Sequence, residues 1–171
     1  MKNWLFDICI RICSYSVWHW RLRRILYNLI GMSIPKTSSI HSGCFFSGNR
    51  ISVGEYSYVN KNCFLDCSNA DITIGNYVGI AFNVKMYTTN HDYTSAKKRT
   101  GSIIGKKIVI EDGAWIGGGS IICPGVRIGR GGVIAAGSVV VSDCLANCLY
   151  AGNPAKKIKE LDVADYGNAN A

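Results

Sequence analysis

The stretch from Ile104 to Val140 reads IGKKIVIEDGAWIGGGSIICPGVRIGRGGVIAAGSVV and places an aliphatic residue at every sixth position. Small residues follow most of these aliphatics. Neither the helical period of about 3.6 residues nor simple alternation explains this spacing. A six-residue period predicts short strands joined by tight turns, three to a triangular coil, with coils stacked as a parallel β-helix. The positions expected to face the inside of this prism are Ile104, Ile110, Ile116, Ile122, Ile128, Ile134 and Val140.

The same period occurs earlier in the chain, which extends the predicted β-helix to residues 34–155. Between Leu65 and Ile74 the spacing shifts by three residues, and this shift predicts a bulge or a small loop. The 19 glycines against 3 prolines fit a chain with many tight turns. The earlier aliphatic and aromatic positions are Val53, Val59, Leu65, Ile74, Ile80 and Met86, with weaker traces at Ile34, Ile40 and Phe46.

Two terminal segments lie outside the period. Residues 1–33 carry a helix-like apolar stripe, which Gly31 and Pro35 end. A stacked solenoid needs its open end covered, so this segment is interpreted as a cap; Trp4, Trp18, Trp20 and the nearby arginines keep a membrane-surface helix as the alternative. Residues 156–171 are predicted to form a short helix, over Lys156 to Leu161, and a tail. The stripe consists of Leu5, Ile8, Ile12, Tyr15, Leu22, Leu26 and Leu29.

The period is also interrupted at residues 87–103, between two stretches that keep it. This segment is polar and basic and contains Asn90, His91, Asp92 and Tyr93. A long polar excursion from a regular solenoid usually carries function. The segment is therefore predicted to form a functional loop.

Composition limits the classes of partner. The 171 residues suffice for one domain, and a net charge of +8 suits nucleic acid, an anionic membrane or a phosphorylated small molecule. No nucleic-acid-binding motif is found. The apolar start is interrupted by charges and lacks a signal-peptide pattern, so a cytoplasmic location is expected, with peripheral contact at the inner face of the membrane as an option. The eight cysteines do not have zinc-site spacing, and no metal is expected.

Three strings resemble the hexapeptide-repeat acetyltransferases, in the branch that contains maltose, galactoside and capsular-polysaccharide O-acetyltransferases. They are Thr89-Asn90-His91-Asp92, Ala114-Trp115-Ile116-Gly117-Gly118-Gly119 and Ala151-Gly152-Asn153-Pro154-Ala155-Lys156. The resemblance covers roughly Ile51 to Ile158. It implies a left-handed β-helix, a homotrimer with sites between neighbouring prisms, acetyl-CoA as co-substrate and a saccharide acceptor near the long loop.

The resemblance also implies roles for single residues. His91 matches the catalytic histidine, Asn60 and Asp66 match positions that touch the acceptor, and an extra residue affects the alignment of Asp66. One departure concerns Val141-Ser142, where many members have a Thr-Lys pair that contacts CoA; Lys157 or Lys159 could compensate. The oxyanion and CoA positions match Trp115, Gly117, Gly118, Ala136, Lys156 and Lys157.

These residue types fit acyl transfer to an alcohol. A neutral imidazole takes the hydroxyl proton, and a fixed backbone N–H stabilises the oxyanion. The expected function is acetyl-CoA-dependent O-acetylation of a sugar hydroxyl in surface-polysaccharide biosynthesis, with a free sugar, an amino sugar or an antibiotic as alternative acceptors. A zinc carbonic anhydrase of the same fold needs three histidines on the metal, and here only His41 and His91 could lie on the coils. A non-catalytic assembly module is the alternative of another class.

Overall fold

A computed structural model of the chain describes residues 4–16 and 19–162. Two α-helices, α1 (Trp4–Ser14) and α2 (Trp20–Leu29), precede a series of short parallel strands. Neither of these helices, the two that the described residues form, has the length and apolar content needed to cross a membrane.

The strands follow one another around five coils of a left-handed parallel β-helix. Coil 1 contains β1 (Ser39–Ile40), β2 (Phe45–Phe46) and β3 (Ile51–Val53), and coil 2 contains β4 (Tyr58–Val59), β5 (Phe64–Asp66) and β6 (Ile72–Ile74). Coil 3 contains β7 (Gly79–Ile80) and β8 (Lys85–Tyr87), a hairpin of β9 (Thr89–His91) and β10 (Ile103–Gly105), and then β11 (Ile108–Ile110). Coil 4 contains β12 (Trp115–Ile116), β13 (Ile121–Ile122) and β14 (Arg127–Ile128). Coil 5 contains β15 (Val133–Ile134) and β16 (Val139–Val140), and β17 (Cys148–Gly152) and β18 (Ala155–Glu160) follow it.

Equivalent strands of successive coils pair and form the three sides of the prism. Sheet one has the order β1-β4-β7-β12-β15-β17-β18, sheet two the order β2-β5-β8-β13-β16 and sheet three the order β3-β6-β11-β14. We call the turns from sheet one to sheet two corner 1–2, and those from sheet two to sheet three corner 2–3. At corner 1–2 the third turn residue has positive φ in each of coils 1 to 5, which explains why Gly or Asn stands there.

The aliphatic period was predicted correctly with one exception. The periodic positions from Ile110 to Val140, and the earlier ones from Ile34 to Met86, are buried in a single core. Ile104 does not belong to this core, because it lies on β10 and is 39% exposed. The excursion is a β-hairpin that extends past residue 103, so the coil resumes only at Ile108.

The prediction of a short helix at Lys156 to Leu161 was wrong. Residues 156–160 form most of β18, which pairs antiparallel with β17. The outer edge of β17 would otherwise present unpaired N–H and C=O groups at the end of the stack. Pairing with this edge outweighs the weak local helix preference of a run of lysines. Residues 163–171 of the predicted tail lie outside the described residues.

The two helices lie against coil 1, with Ile10, Cys13 and Tyr27 buried. The Tyr27 ring packs edge-on against Phe46, with ring centroids 5.1 Å apart. The predicted apolar stripe is largely on the other face, because Ile8, Ile12, Tyr15, Leu22 and Leu29 are exposed. Trp18 lies outside the described residues, as do the side chains of Trp4 and Leu5.

Candidate active site

The hairpin of β9 and β10 projects from corner 2–3 and carries His91. Its strands pair with Ile103 opposite His91 and Gly105 opposite Thr89. The Asp92 N–H donates to the Ser102 carbonyl at 2.8 Å, and the Gly101 N–H donates to the Asp92 carbonyl at 2.9 Å. These bonds make the hairpin a defined structure rather than an irregular loop.

The contacts of His91 determine which ring nitrogen is available. Its Nδ1 lies 3.1 Å from the carbonyl oxygen of Gly101. A carbonyl oxygen only accepts hydrogen bonds, so Nδ1 carries the proton and Nε2 of the neutral ring keeps its lone pair. The side chain is exposed, beside a cavity of ≈ 240 Å³. An imidazole held in this tautomer has the form that a general base requires.

Asp66, the last residue of β5, contacts Thr89, the first residue of β9. Its Oδ2 accepts a hydrogen bond from the Thr89 N–H at 3.1 Å, and its Oδ1 accepts from the hydroxyls of Ser47 at 2.6 Å and Ser68 at 2.7 Å. Burial raises the pKa of the Asp66 carboxyl, but the hydrogen bonds from Ser47, Thr89 and Ser68 outweigh burial and hold that pKa below its ordinary value. Only 8% of Asp66 is exposed. The carboxylate therefore supports the strand that carries His91.

The cavity beside His91 has a basic surrounding. Asn90 to Thr94 line it together with Ile104 and Lys106. The exposed cations Lys97, Lys98 and Arg99 follow on the same hairpin. The Arg99 guanidinium donates to the carbonyl of Tyr93 at 2.6 Å, which connects two parts of the hairpin turn. Such a surface attracts an anionic molecule.

A second group of predicted residues lies along corner 1–2. Gly117 is buried so closely under coil 5 that a Cβ there would stand 2.5 Å from the Ala136 nitrogen. The hydrogen bonds of the described residues leave the N–H groups of Gly118 and Ala136 without acceptors. These N–H groups occupy equivalent turn positions in coils 4 and 5, so they form a row of donors. Asn60 lies on the same corner in coil 2, where its Oδ1 accepts from the Lys61 N–H at 2.9 Å.

Trp115 and the two lysines flank this row. Trp115 lies on the outer face of sheet one, 52% exposed, two residues before the corner begins at Gly117. Lys156 lies on β18 and pairs opposite Ala151 of β17, where corner 1–2 ends beyond coil 5. Three strand spacings separate coil 4 from β18, which is roughly 14 Å. Lys157 is also exposed, and its Nζ lies 2.7 Å from Glu160 Oε1.

The predicted site residues thus fall into two groups at opposite ends of sheet two. His91 and Asp66 lie at corner 2–3, whereas Asn60, Gly117, Gly118 and Ala136 lie along corner 1–2. No hydrogen bond between described residues joins His91 to Gly118. One prism therefore presents the His91 imidazole at one corner and a row of N–H donors at the other.

Sequence reasoning missed the groups that support His91. The Gly101 carbonyl sets the tautomer of the His91 ring, and Gly101 lies just before β10, the second strand of the hairpin. Ser47 stands 19 residues before Asp66. Because one coil takes about that many residues, a search for polar residues one coil apart could have found this pair. Within residues 4–16 and 19–162, no group of three or more His, Cys, Asp or Glu side chains could hold a metal ion.

Comparisons with known proteins agree with this fold. The model of the bacterial transferase hexapeptide family, with six repeats, matches residues 107–142. The chain is 36% identical over 134 residues to galactoside O-acetyltransferase of Escherichia coli, covering 78% of this chain and 66% of that protein. It is 40% identical to a relative from Saccharomyces cerevisiae and spans 62% of that protein's length. For relatives from Schizosaccharomyces pombe and Dictyostelium discoideum the identities are 42% and 45%, and the chain spans 56% and 60% of their lengths.

Two solved structures extend the match over most of both chains. A maltose O-acetyltransferase from Clostridium difficile has a TM-score of 0.85 at 31% identity, covering 94% of this chain and 87% of that chain. A hexapeptide-repeat acetyltransferase from Vibrio cholerae, in complex with acetyl-CoA, has a TM-score of 0.75 at 30% identity, covering 91% and 84%. By its repeat, its prism and these relatives, the chain belongs to the hexapeptide-repeat acetyltransferase family.

Proposed function

We propose that the protein is an acetyl-CoA-dependent O-acetyltransferase that acetylates a saccharide hydroxyl, with His91 as the general base. The observation that carries the proposal is the hydrogen bond from His91 Nδ1 to the Gly101 carbonyl, because it leaves Nε2 as an exposed acceptor. The relatives add the substrates: one is a maltose O-acetyltransferase, and another was solved with acetyl-CoA.

The proposed reaction needs a base and an oxyanion donor. Nε2 of His91 takes the proton of the acceptor hydroxyl while its oxygen attacks the thioester carbon. The Gly118 N–H donates to the oxyanion of the tetrahedral intermediate, an interaction worth about 3–4 kcal/mol in comparable sites. The intermediate then collapses, the C–S bond breaks, and the imidazolium returns its proton to the CoA sulfur.

We propose that acetyl-CoA lies along corner 1–2. The Gly118 and Ala136 N–H groups would bind the elongated arm, with Trp115 and Gly117 beside the acetyl end. Lys156 at the far end of the corner would meet the phosphates, since ammonium groups attract them. Lys157 is placed to assist, although it forms an ion pair with Glu160.

We further propose a homotrimer. His91 and Gly118 lie at different corners of one prism, so a complete site needs the corner 2–3 of one copy against the corner 1–2 of the next. Phe45 and Phe64 face outward on sheet two and stack with ring centroids 5.5 Å apart. Such side chains would suit packing against a neighbouring copy, because aromatic residues are enriched in the cores of interfaces. In this arrangement Asn60 would face the acceptor of the neighbouring copy, and Asp66 would act through Thr89 rather than by contact.

For the acceptor we propose a glycan of surface-polysaccharide biosynthesis, on the cytoplasmic side of the membrane. The basic hairpin beside His91 supports an acceptor that carries phosphate or carboxylate groups. All eight cysteines are free thiols, which fits a reducing compartment.

The test is acetyl transfer from isotopically labelled acetyl-CoA to a glycan panel that includes neutral, phosphorylated and uronic-acid saccharides, with product detected by mass. His91→Ala and His91→Asn should each lower the rate by about 10²–10⁴-fold, because neither side chain can take the proton. Asn retains a hydrogen-bonding group, so its loss of rate separates the base from simple hydrogen bonding. His19→Ser is the matched control, since it retains a residue that caps α2 and should not alter the rate. Full activity of His91→Asn would rule out His91 as the base.

A further inference from the structure

The helices α1 and α2 are apolar on two sides. Their inner sides bury Ile10, Cys13 and Tyr27 against coil 1. Their outer sides carry a second set of large apolar side chains at helical spacing, each at least 40% exposed. We call this second set, with the cations between its members, the outer helical face: Ile8 and Ile12 on α1, Tyr15 directly after α1, and Leu22, Ile25 and Leu29 on α2, with Arg11, Arg21 and Arg24.

Single exposed apolar side chains are common on protein surfaces, but a helix that caps a core needs only one apolar side. Six such residues on or directly after two helices that contact each other are more exposed apolar surface than a cap requires, and surfaces of this composition mark interaction sites. Ile8, Ile12 and Tyr15 are spaced at i, i+4 and i+7. The Tyr15 N–H donates to the Ile12 carbonyl at 3.3 Å and so continues the last turn of α1, which puts the three side chains in one stripe. Stability of the prism does not account for this stripe.

The charges of the segment indicate what the surface binds. Residues 1–30 contain five Lys and Arg against one acid, Asp7; Arg23 is buried, which leaves Arg11, Arg21 and Arg24 as the cations of the outer helical face. The Arg21 guanidinium lies 5.2 Å from the centre of the Trp20 ring, which places a cation and an amphipathic ring side by side. Apolar side chains flanked by cations and Trp are the composition that binds at an anionic lipid–water interface. Association of two copies through this face would oppose arginines to arginines, which disfavours self-association.

The helices that carry the outer helical face are joined to coil 1 by a buried arginine. Arg23 donates from Nε to the Cys13 carbonyl at 2.9 Å, from Nη2 to the Tyr15 carbonyl at 2.8 Å and from Nη1 to the Ile40 carbonyl at 3.2 Å. These bonds connect the end of α1, the start of α2 and β1 in coil 1. The face is therefore preorganised, and docking does not have to order it.

We propose that the outer helical face docks the protein on the surface of a bilayer that contains anionic lipid. The apolar side chains enter the boundary between headgroups and acyl chains, and the arginines contact lipid phosphates. If the proposed acetyl transfer is also correct, docking brings the His91 hairpin to acceptors that are attached to lipid at the same surface; this last step rests on the proposed function.

The experiment is co-sedimentation of the full chain with vesicles, without acetyl-CoA or acceptor, so that its outcome does not depend on the proposed activity. Vesicles of phosphatidylcholine alone are compared with vesicles that also contain phosphatidylglycerol. Arg21→Gln/Arg24→Gln should weaken binding to the anionic vesicles by roughly fivefold per arginine. Leu22→Ser/Ile25→Ser should weaken binding to the same vesicles by about tenfold or more, because it removes two apolar side chains that would be buried in the lipid boundary.

Matched controls test the location of the surface. Arg127→Gln/Arg130→Gln removes the same charge from the exposed side of coil 4, and Val141→Ser/Leu145→Ser removes exposed apolar groups near the other end of the prism. Both controls should bind as the unaltered chain does, and all variants should melt within a few degrees of it. Equal loss in the controls, equal binding to neutral vesicles, or no vesicle binding would each overturn the proposal. Concentration-dependent association that Leu22→Ser/Ile25→Ser abolishes, without vesicle binding, would show a protein interface instead.

Discussion

Asp66→Asn distinguishes a residue that supports the His91 strand from one that touches the acceptor. The carboxylate accepts from the hydroxyls of Ser47 and Ser68 on Oδ1 and from the Thr89 N–H on Oδ2. An asparagine keeps one acceptor oxygen, but its NH₂ must then face donors on the other side. A hydrogen bond to a charged group contributes about 1.5–3 kcal/mol, so loss of the Thr89 bond should lower the free energy of unfolding by about 2 kcal/mol.

The effect should be local and should depend on pH. The pKa of Asp66 is lower in the folded protein than in the unfolded chain. Its contribution is therefore complete above the unfolded pKa of about 3.9, and it is lost as the pH falls through the folded value. Asp66→Asn should lower stability at pH 7 and should flatten the decline of stability between about pH 5 and the lower folded pKa of Asp66.

Amide hydrogen exchange at residues 88–106 and thermal melting at fixed protein concentration measure these effects. In Asp66→Asn the Thr89 amide should exchange faster, and kcat should fall while the KM for the acceptor changes little. Ser47→Ala is the matched control, because it removes one donor and leaves the charge and the Thr89 bond in place; a loss of about 2 kcal/mol with unchanged exchange of the Thr89 amide is expected. An unchanged Thr89 amide and melting temperature, with only the acceptor KM raised, would refute the support role and restore direct acceptor contact.

Three further substitutions test the corner and the cap. Gly117→Ala places a Cβ 2.5 Å from the Ala136 nitrogen and should lower the free energy of unfolding by about 1–3 kcal/mol. Gly119→Ala is the control: its Cβ meets open space, and it should cost about 1 kcal/mol through the positive φ alone. Equal melting temperatures of the two variants would contradict the close packing at Gly117. Ala136→Leu should weaken CoA binding at least about tenfold in calorimetry, while Ala146→Leu on another corner should not. Arg23→Lys cannot reach three carbonyls in a planar fork, so it should cost about 2–3 kcal/mol and expose α1 and α2 to proteases; unchanged digestion would show that Arg23 does not hold the cap.

The repeat was readable from the sequence because it is a local pattern. Every coil imposes the same requirement on the same position, so aliphatics such as Ile110 and Ile116 recur at a fixed spacing and occupy the core. The candidate base was likewise visible, because the string around His91 interrupts that spacing. Ile104 fits the spacing only by coincidence, since pairing within the hairpin removes it from the coil.

Only the tertiary structure decided features that depend on groups distant in the chain. The Gly101 carbonyl fixes the tautomer of His91 from ten residues away, and Ser47 holds Asp66 from the preceding coil. The free edge of β17 made residues 155–160 a strand, and burial of Tyr27 against coil 1 decided which side of the helices stays exposed. A sequence determines the period of a solenoid because each strand repeats the same local environment. Edges, corners and buried hydrogen bonds arise only when segments pair across coils, so their partners have no local signal.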